Sequence, residues 1–272
     1  MRRRSLVRTT MVATGLTVIG ALTACGDDDD TQSAGTSGTE PADATATTGA
    51  GAAGEPVIDP GDGGHYAPDI EAADFVEGVD NPYLPLTPGA QWVYEGESEG
   101  ETERTEVTVT DEHKEVMGVA AIVVRDTVTV DGEVAEDTRD WFAQDRTGNV
   151  WYLGEDSAEY EDGEITSTEG SWEAGVDGAL PGIVMPADPA VGDAYRQEYY
   201  EGQAEDLGQV LRLDGTATVP AGQYRDLLVT EEWNPLEPEV VEEKSYARGI
   251  GLVLEVATRG GDERAELVEH QP

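Results

Sequence analysis

The chain has 272 residues, with 58 acidic against 16 basic ones and a formal net charge of −42. So few Lys and Arg argue against nucleic acid as a partner and against electrostatic docking on an anionic membrane. A single Cys rules out an internal disulfide framework and a thiolate-rich zinc site, and no apolar run reaches the ~18 residues of a spanning helix.

The chain opens with Arg2, Arg3, Arg4 and Arg8, followed by a small, apolar stretch from Met11 to Ala24. A basic start and a short apolar core predict a secretory signal over residues 1–24. It closes on Leu22-Thr23-Ala24-Cys25. That run resembles the lipobox of bacterial lipoproteins, where small residues let the extended backbone enter a peptidase cleft. The resemblance implies cleavage after Ala24, transfer of a diacylglyceryl group to the Cys25 sulfur, and anchoring at the extracytoplasmic face of the cell membrane. Arg3-Arg4-Ser5-Leu6-Val7 also resembles a twin-arginine export signal. Three consecutive arginines equally suit an ordinary charged leader, so both export routes stay open. Without the leader the chain carries 12 basic and 58 acidic residues, a net charge of −46. Two or three acyl chains, at about 0.8 kcal/mol per buried CH₂, would hold it against that repulsion.

Gly26 to Gly64 contain no aromatic and no basic residue, and Asp27 to Asp30 form an acidic run. Such a segment cannot bury enough apolar surface to offset its ordering entropy. With the lipidated Cys it predicts a disordered acidic tether over residues 25–64, spanning roughly 35 Å root-mean-square.

From His65 onward the pattern is β. Trp92 and Tyr94 recur at a spacing of two, and so do Val107 and Val109, and Val128 and Val130, as in half-buried strands. Asp131-Gly132, Asp162-Gly163 and Asp214-Gly215 read as hairpin turns. Ile70 to Val76 reads as one short helix. The expected fold is mainly β over residues 65–272: an antiparallel sandwich, an open barrel or a clamshell.

A weak internal repeat is offset by about 103 residues. Pro88-Gly89-Ala90-Gln91-Trp92 stands opposite Val191-Gly192-Asp193-Ala194-Tyr195, and Gly148-Asn149-Val150-Trp151 opposite Gly251-Leu252-Val253-Leu254. Phe142-Ala143 matches Tyr246-Ala247 with a slip of one residue. The repeat predicts two tandem β units, residues 75–165 and 187–268, joined by a loop over 166–186.

Several runs of this body resemble motifs of an uncharacterised family of secreted bacterial β proteins and lipoproteins. In the first half these are Asn81-Pro82-Tyr83, Pro88-Gly89, Trp92 and Asp140-Trp141-Phe142-Ala143-Gln144-Asp145. In the second they are Val219-Pro220-Ala221-Gly222-Gln223-Tyr224 and Tyr246-Ala247-Arg248-Gly249-Ile250-Gly251-Leu252-Val253. The resemblance covers about residues 75–268. It implies a β body and an envelope location, and no chemistry.

Candidate chemistry is sparse. His65, His113 and His270 show no metal spacing, and no Gly-x-Ser-x-Gly elbow occurs. Glu155 to Glu164 hold six acids without the alternating register of a calcium loop. No metal or cofactor is therefore expected. Paired carboxylates beside aromatics suit sugar hydrolysis, and Asp140, Glu155 and Asp156 are the candidates, next to Trp141, Trp151 and Tyr152. The segment Ser171 to Pro186 carries Trp172, Leu180, Ile183, Val184 and Met185 among glycines and prolines. Long apolar loops of this kind often bind. The leading expectation is a non-catalytic, membrane-anchored lipoprotein that holds a small apolar ligand or an envelope partner at this loop. A carbohydrate-active hydrolase and a purely structural surface module are the alternatives.

Overall fold

The computed structural model describes residues 65–98 and 101–272, so the leader, Cys25 and the tether lie outside the described residues. The expected helix at Ile70–Val76 shrinks to one 3₁₀ turn, Ala72–Asp74. It has no side-chain cap and buries none of its residues, so nothing stabilises a longer helix.

Two short strands, β1 (Val79–Asn81) and β2 (Leu84–Leu86), pair as a small separate hairpin. Then come β3 (Gln91–Ser98), β4 (Glu101–Val116), β5 (Val119–Val130), β6 (Glu133–Gln144) and β7 (Val150–Glu161), each antiparallel to the one before. The strands β8 (Glu164–Ser167), β9 (Trp172–Glu173) and β10 (Leu180–Met185) all fold back on β7. Two short pieces follow, β11 (Ala194–Arg196) and β12 (Glu198–Tyr199). A second meander completes the chain: β13 (Leu207–Val219), β14 (Gly222–Trp233), β15 (Val241–Ala247), β16 (Gly251–Arg259) and β17 (Arg264–Gln271).

Across the main sheet the order is β11-β13-β14-β15-β16-β17-β3-β4-β5-β6-β7-β10-β12. Its two ends, β11 and β12, are consecutive pieces of one stretch parted only by Gln197. The sheet thus curls back toward itself as an open barrel without full closure. One contiguous core fills it, with Phe142, Tyr152, Met185, Leu227, Leu228 and Leu267 among its fully buried side chains.

Two local expectations are corrected. Asp131-Gly132 and Asp162-Gly163 do turn hairpins, with positive φ at all four residues. Asp214-Gly215 does not: it lies inside β13, where the register to β14 shifts. A Cβ at Gly215 would come within 2.5 Å of a Val229 methyl, so the glycine serves close strand approach at a bulge rather than a turn. The second correction concerns residues 166–186. Instead of a free loop, they contain part of β8 and all of β9 and β10.

The start and middle of the repeat reappear as matched backbone geometry, but its end is out of step: the registers place Trp151, not Gly148, at the position of Gly251. Gly89 N–H donates to the Val109 carbonyl, Ala90 N–H to Thr87, and Val109 N–H to Ala90. The counterparts are Gly192 N–H to Val210, Asp193 N–H to Ala190, and Val210 N–H to Asp193. Farther on, Val124 faces Asp140 and Ile122 faces Phe142, as Thr230 faces Lys244 and Leu228 faces Tyr246. On the next strand Asp140 faces Glu155 and Phe142 faces Tyr152, as Lys244 faces Glu255 and Tyr246 faces Leu252. Both pairs skip one residue at the same place, leaving a bulge on β7 and on β16.

Candidate functional site

Strand alternation decides where the expected site residues point. In the segment 171–186, Trp172, Ile183, Val184 and Met185 are all buried in the core, and Leu180 is half-buried. Trp172 donates its indole N–H to Glu198 Oε2 at 2.7 Å and meets Tyr152 edge to face. Trp172, Ile183, Val184 and Met185 belong to the packed core. Asp140 and Glu155 are brought together as cross-strand partners, whereas Asp156 points out to solvent. Asp140 and Glu155 are 1% and 2% exposed, so a polymeric glycan could not reach them without opening the sheet. The three histidines stay apart: His65 is exposed, His113 lies in β4, and His270 stacks on Trp92. The acidic run Glu155 to Glu164 spans the turn from β7 to β8. Among the described residues no group of three or more His, Cys, Asp or Glu is arranged to hold a metal ion.

What composition does not reveal is how many acids face inward. Glu103, Asp126, Glu136, Asp140, Glu155 and Glu198 are buried, as are Asp206, Glu232, Glu242 and Glu255. Burial raises the Asp126 carboxyl well above its ordinary pKa, and the nearby Asp140, Glu136, Glu103 and Asp137 push the same way. Burial lifts Glu136 to about 7 despite the hydrogen bond from Thr138. It also lifts Glu198 to about 7, against the hydrogen bonds from Asp206 and Trp172 and with help from Glu155 and Asp140.

In the second unit this acidity is answered by a cation. Lys244 Nζ lies 2.9 Å from Glu232 Oε2 and 3.9 Å from Glu255 Oε2, with all three side chains buried. Burial would lower the lysine pKa, but Glu232 and Glu255 hold it well above its usual value. By the matched registers, the first-unit counterparts of Glu232, Lys244 and Glu255 are Asp126, Asp140 and Glu155. An acid stands where the second unit has its lysine.

A cavity opens at this place. Its acidic members are Asp126 and Asp140, and its aromatic members Trp92, Tyr94 and Tyr246. Leu84, Leu86, Val124 and Gly251 complete the buried wall, while Val107 and Leu252 are the partly exposed members of the lining. About 30 Å³ is open to the centres of water molecules, room for on the order of two waters. Both Asp126 oxygens are buried without a hydrogen-bond partner among the described residues. Tyr94 instead donates to the Leu252 carbonyl at 3.0 Å and Trp92 to the Ile250 carbonyl at 2.6 Å.

The two motif groups of the sequence meet over this cavity. Asn81 donates to the Gly148 and Pro186 carbonyls and accepts from Tyr83 N–H, which fixes the β1–β2 turn. Gln144 Oε1 accepts from the backbone of Asp80 and Asn81. Gly249 N–H donates to the Pro82 carbonyl at 2.7 Å, and the Arg248 guanidinium lies over the Tyr83 ring at 4.5 Å. The hairpin that supplies Leu84 and Leu86 is thus clamped by the β15–β16 turn. Asp145 closes the first motif by accepting from Thr147, Gly148, Asn149 and the Trp151 indole. Burial opposes its charge, yet the hydrogen bonds from Thr147, Trp151 and Asn149 hold its pKa below the usual value.

No family model and no curated protein matches the chain. Two solved structures are similar to it in outline. One, from Bacteroides fragilis NCTC 9343, is described as a putative exported protein with YmcC-like fold. It is 14% identical over 70% of this chain and 99% of its own, with a TM-score of 0.43. The other, described as a putative lipoprotein from Parabacteroides distasonis ATCC 8503, is 12% identical over 70% of this chain and 99% of its own, with a TM-score of 0.38. At those values neither likeness bears on the chemistry of the site.

Proposed function

We propose that this protein is a lipid-anchored binding protein of the extracytoplasmic membrane face, whose β body holds a small ligand in the cavity at Asp126. The lipobox Leu22-Thr23-Ala24-Cys25 and the acidic stretch behind it support the anchoring. The ligand reading is carried by Asp126, a carboxyl 3% exposed that lines a cavity with neither oxygen hydrogen-bonded. An unsatisfied buried polar group costs about 1–3 kcal/mol, and a polar ligand head would recover part of it. The proposed site lies on the β2–β6 and β15–β16 walls rather than at Ser171–Pro186, whose apolar side chains are spent on the core. The space suits a small head group and not a lipid chain.

Two measurements test the reading. Wild-type protein in a bacterial host is expected in the membrane fraction and Cys25→Ser in the soluble fraction. Equal partition of the two overturns the anchor. Native mass spectrometry and thermal shift on the full-length Cys25→Ser chain, against a panel of small polar molecules, are expected to find stabilising binders. These binders should fail to stabilise a Leu86→Trp variant that fills the cavity. Binding that survives this substitution overturns the site.

A further inference from the structure

The repeat bears on the chemical class of the ligand, an inference that rests on the cavity being a binding site. In the second unit a buried ammonium sits between two acids, Glu232 and Glu255. In the first unit the same three register positions hold Asp126, Asp140 and Glu155, so the lysine position has become an acid. The side chain of an aspartate is two atoms shorter than that of a lysine, and a cavity lies beside it with Asp126 and Asp140 in its wall.

We propose that this cavity receives the protonated head of an alkyl primary amine, seated against Asp126 and Asp140 where the second unit carries its own Lys244. Three observations support the class of ligand. Asp126 is buried and both its oxygens lack a hydrogen-bond partner among the described residues, so nothing there competes with an N–H donor for its carboxyl. The charges that press most on Asp126 are those of Asp140, Glu136, Glu103 and Asp137, all of one sign, and a cation relieves them. The rest of the wall is aromatic or aliphatic: Trp92, Tyr94 and Tyr246 suit a cation beside ring faces. Leu84, Leu86 and Leu252 suit a short alkyl stem. An anion or a metal ion that demands six oxygens does not fit this lining.

The probe is n-butylammonium, which is the lysine side chain itself from Cβ to Nζ. Isothermal titration of the full-length Cys25→Ser protein is expected to give a dissociation constant of about 1 mM or tighter. Five non-hydrogen atoms set a floor of about 3 μM. Asp126→Asn, nearly the same shape and already neutral, is expected to fold with an unchanged or higher thermal midpoint and to bind at least tenfold more weakly. Asp140→Lys supplies the ammonium from within and is expected to abolish binding. Nα-acetyl-lysine methylamide distinguishes two sources of the same group. Binding as tight as that of n-butylammonium assigns the amine to a protein side chain, and binding of the free amine alone assigns it to a small metabolite. Both outcomes support the proposal. Unchanged affinity in Asp126→Asn, or no binding of n-butylammonium to the unsubstituted cavity, overturns it. In that case 1-butanol separates the two readings. If the alcohol binds, the cavity remains a ligand site that does not select ammonium. If it does not, the binding function fails as well.

Discussion

Lys244 shows how much one residue carries in this interior. It is one of only two lysines in the chain, and it is fully buried between Glu232 and Glu255. Such a pair contributes little net stability over a well-packed apolar replacement, but removing one partner leaves the other charge without its counter-ion. Lys244→Met is therefore expected to cost about 3–5 kcal/mol in denaturant unfolding at neutral pH. Adding Glu232→Gln to it should recover part of that loss. A loss under about 1 kcal/mol would mean that Glu232 simply takes up a proton at little cost. The sequence around this residue, Glu242-Glu243-Lys244-Ser245, reads as an ordinary solvated charge run. Its burial follows from the side on which β15 presents Lys244.

At the scale of elements, the β1–β2 hairpin is the most informative. It is too short to be stable alone, and two turns of other strands hold it. Asn81 bonds the Gly148 and Pro186 carbonyls, and Gly249 bonds the Pro82 carbonyl. Asn81→Ala leaves two carbonyls without this donor and is expected to destabilise the fold by about 2 kcal/mol. It should also speed amide exchange across Val79–Leu86 before the long strands exchange. Uniform exchange across the molecule would show that the hairpin is not a separate opening unit. Asn81-Pro82-Tyr83 and Tyr246 to Val253 were legible as motifs, but their contact was not, because about 165 residues separate them in the chain. The segment 166–186 errs in the other direction. Its glycines and prolines suggest a loop, yet pairing with β7 makes strands of Trp172–Glu173 and Leu180–Met185. Tertiary pairing outweighs local propensity there.

For the whole molecule the buried carboxyls set the response to pH. Glu136 and Glu198 have folded-state pKa values of about 7, against an ordinary 4.5. The folded state therefore binds more protons than the unfolded chain between these limits. Its stabilising contribution is complete below about 4.5 and lost as pH rises through about 7. Each shift corresponds to roughly 3 kcal/mol, and the repulsion within a chain of net charge −42 acts in the same direction. The thermal midpoint is expected to fall from pH 5 to pH 8, with Glu136→Gln flattening part of the slope. A midpoint that rises over this range would show that these two groups do not titrate as their burial dictates.

By itself the sequence determined the β class, two of the three hairpin turns and the alternation that buries Trp92 and Tyr94. These follow from period-two patterning and from the backbone freedom of Asp-Gly, both local properties. It also carried the start of the repeat, because the turns before Trp92 and Tyr195 leave similar marks, but it misaligned the end, where the matching strands β7 and β16 differ in length and spacing. The tertiary structure alone decided which of 58 acids are buried. Inward and outward carboxylates look the same in a chain this acidic, and only strand register and bulges assign their sides. The placing of Asp126 and Asp140 on one small cavity is of that kind: it depends on curling the sheet until β3–β6 and β15–β16 face one another there.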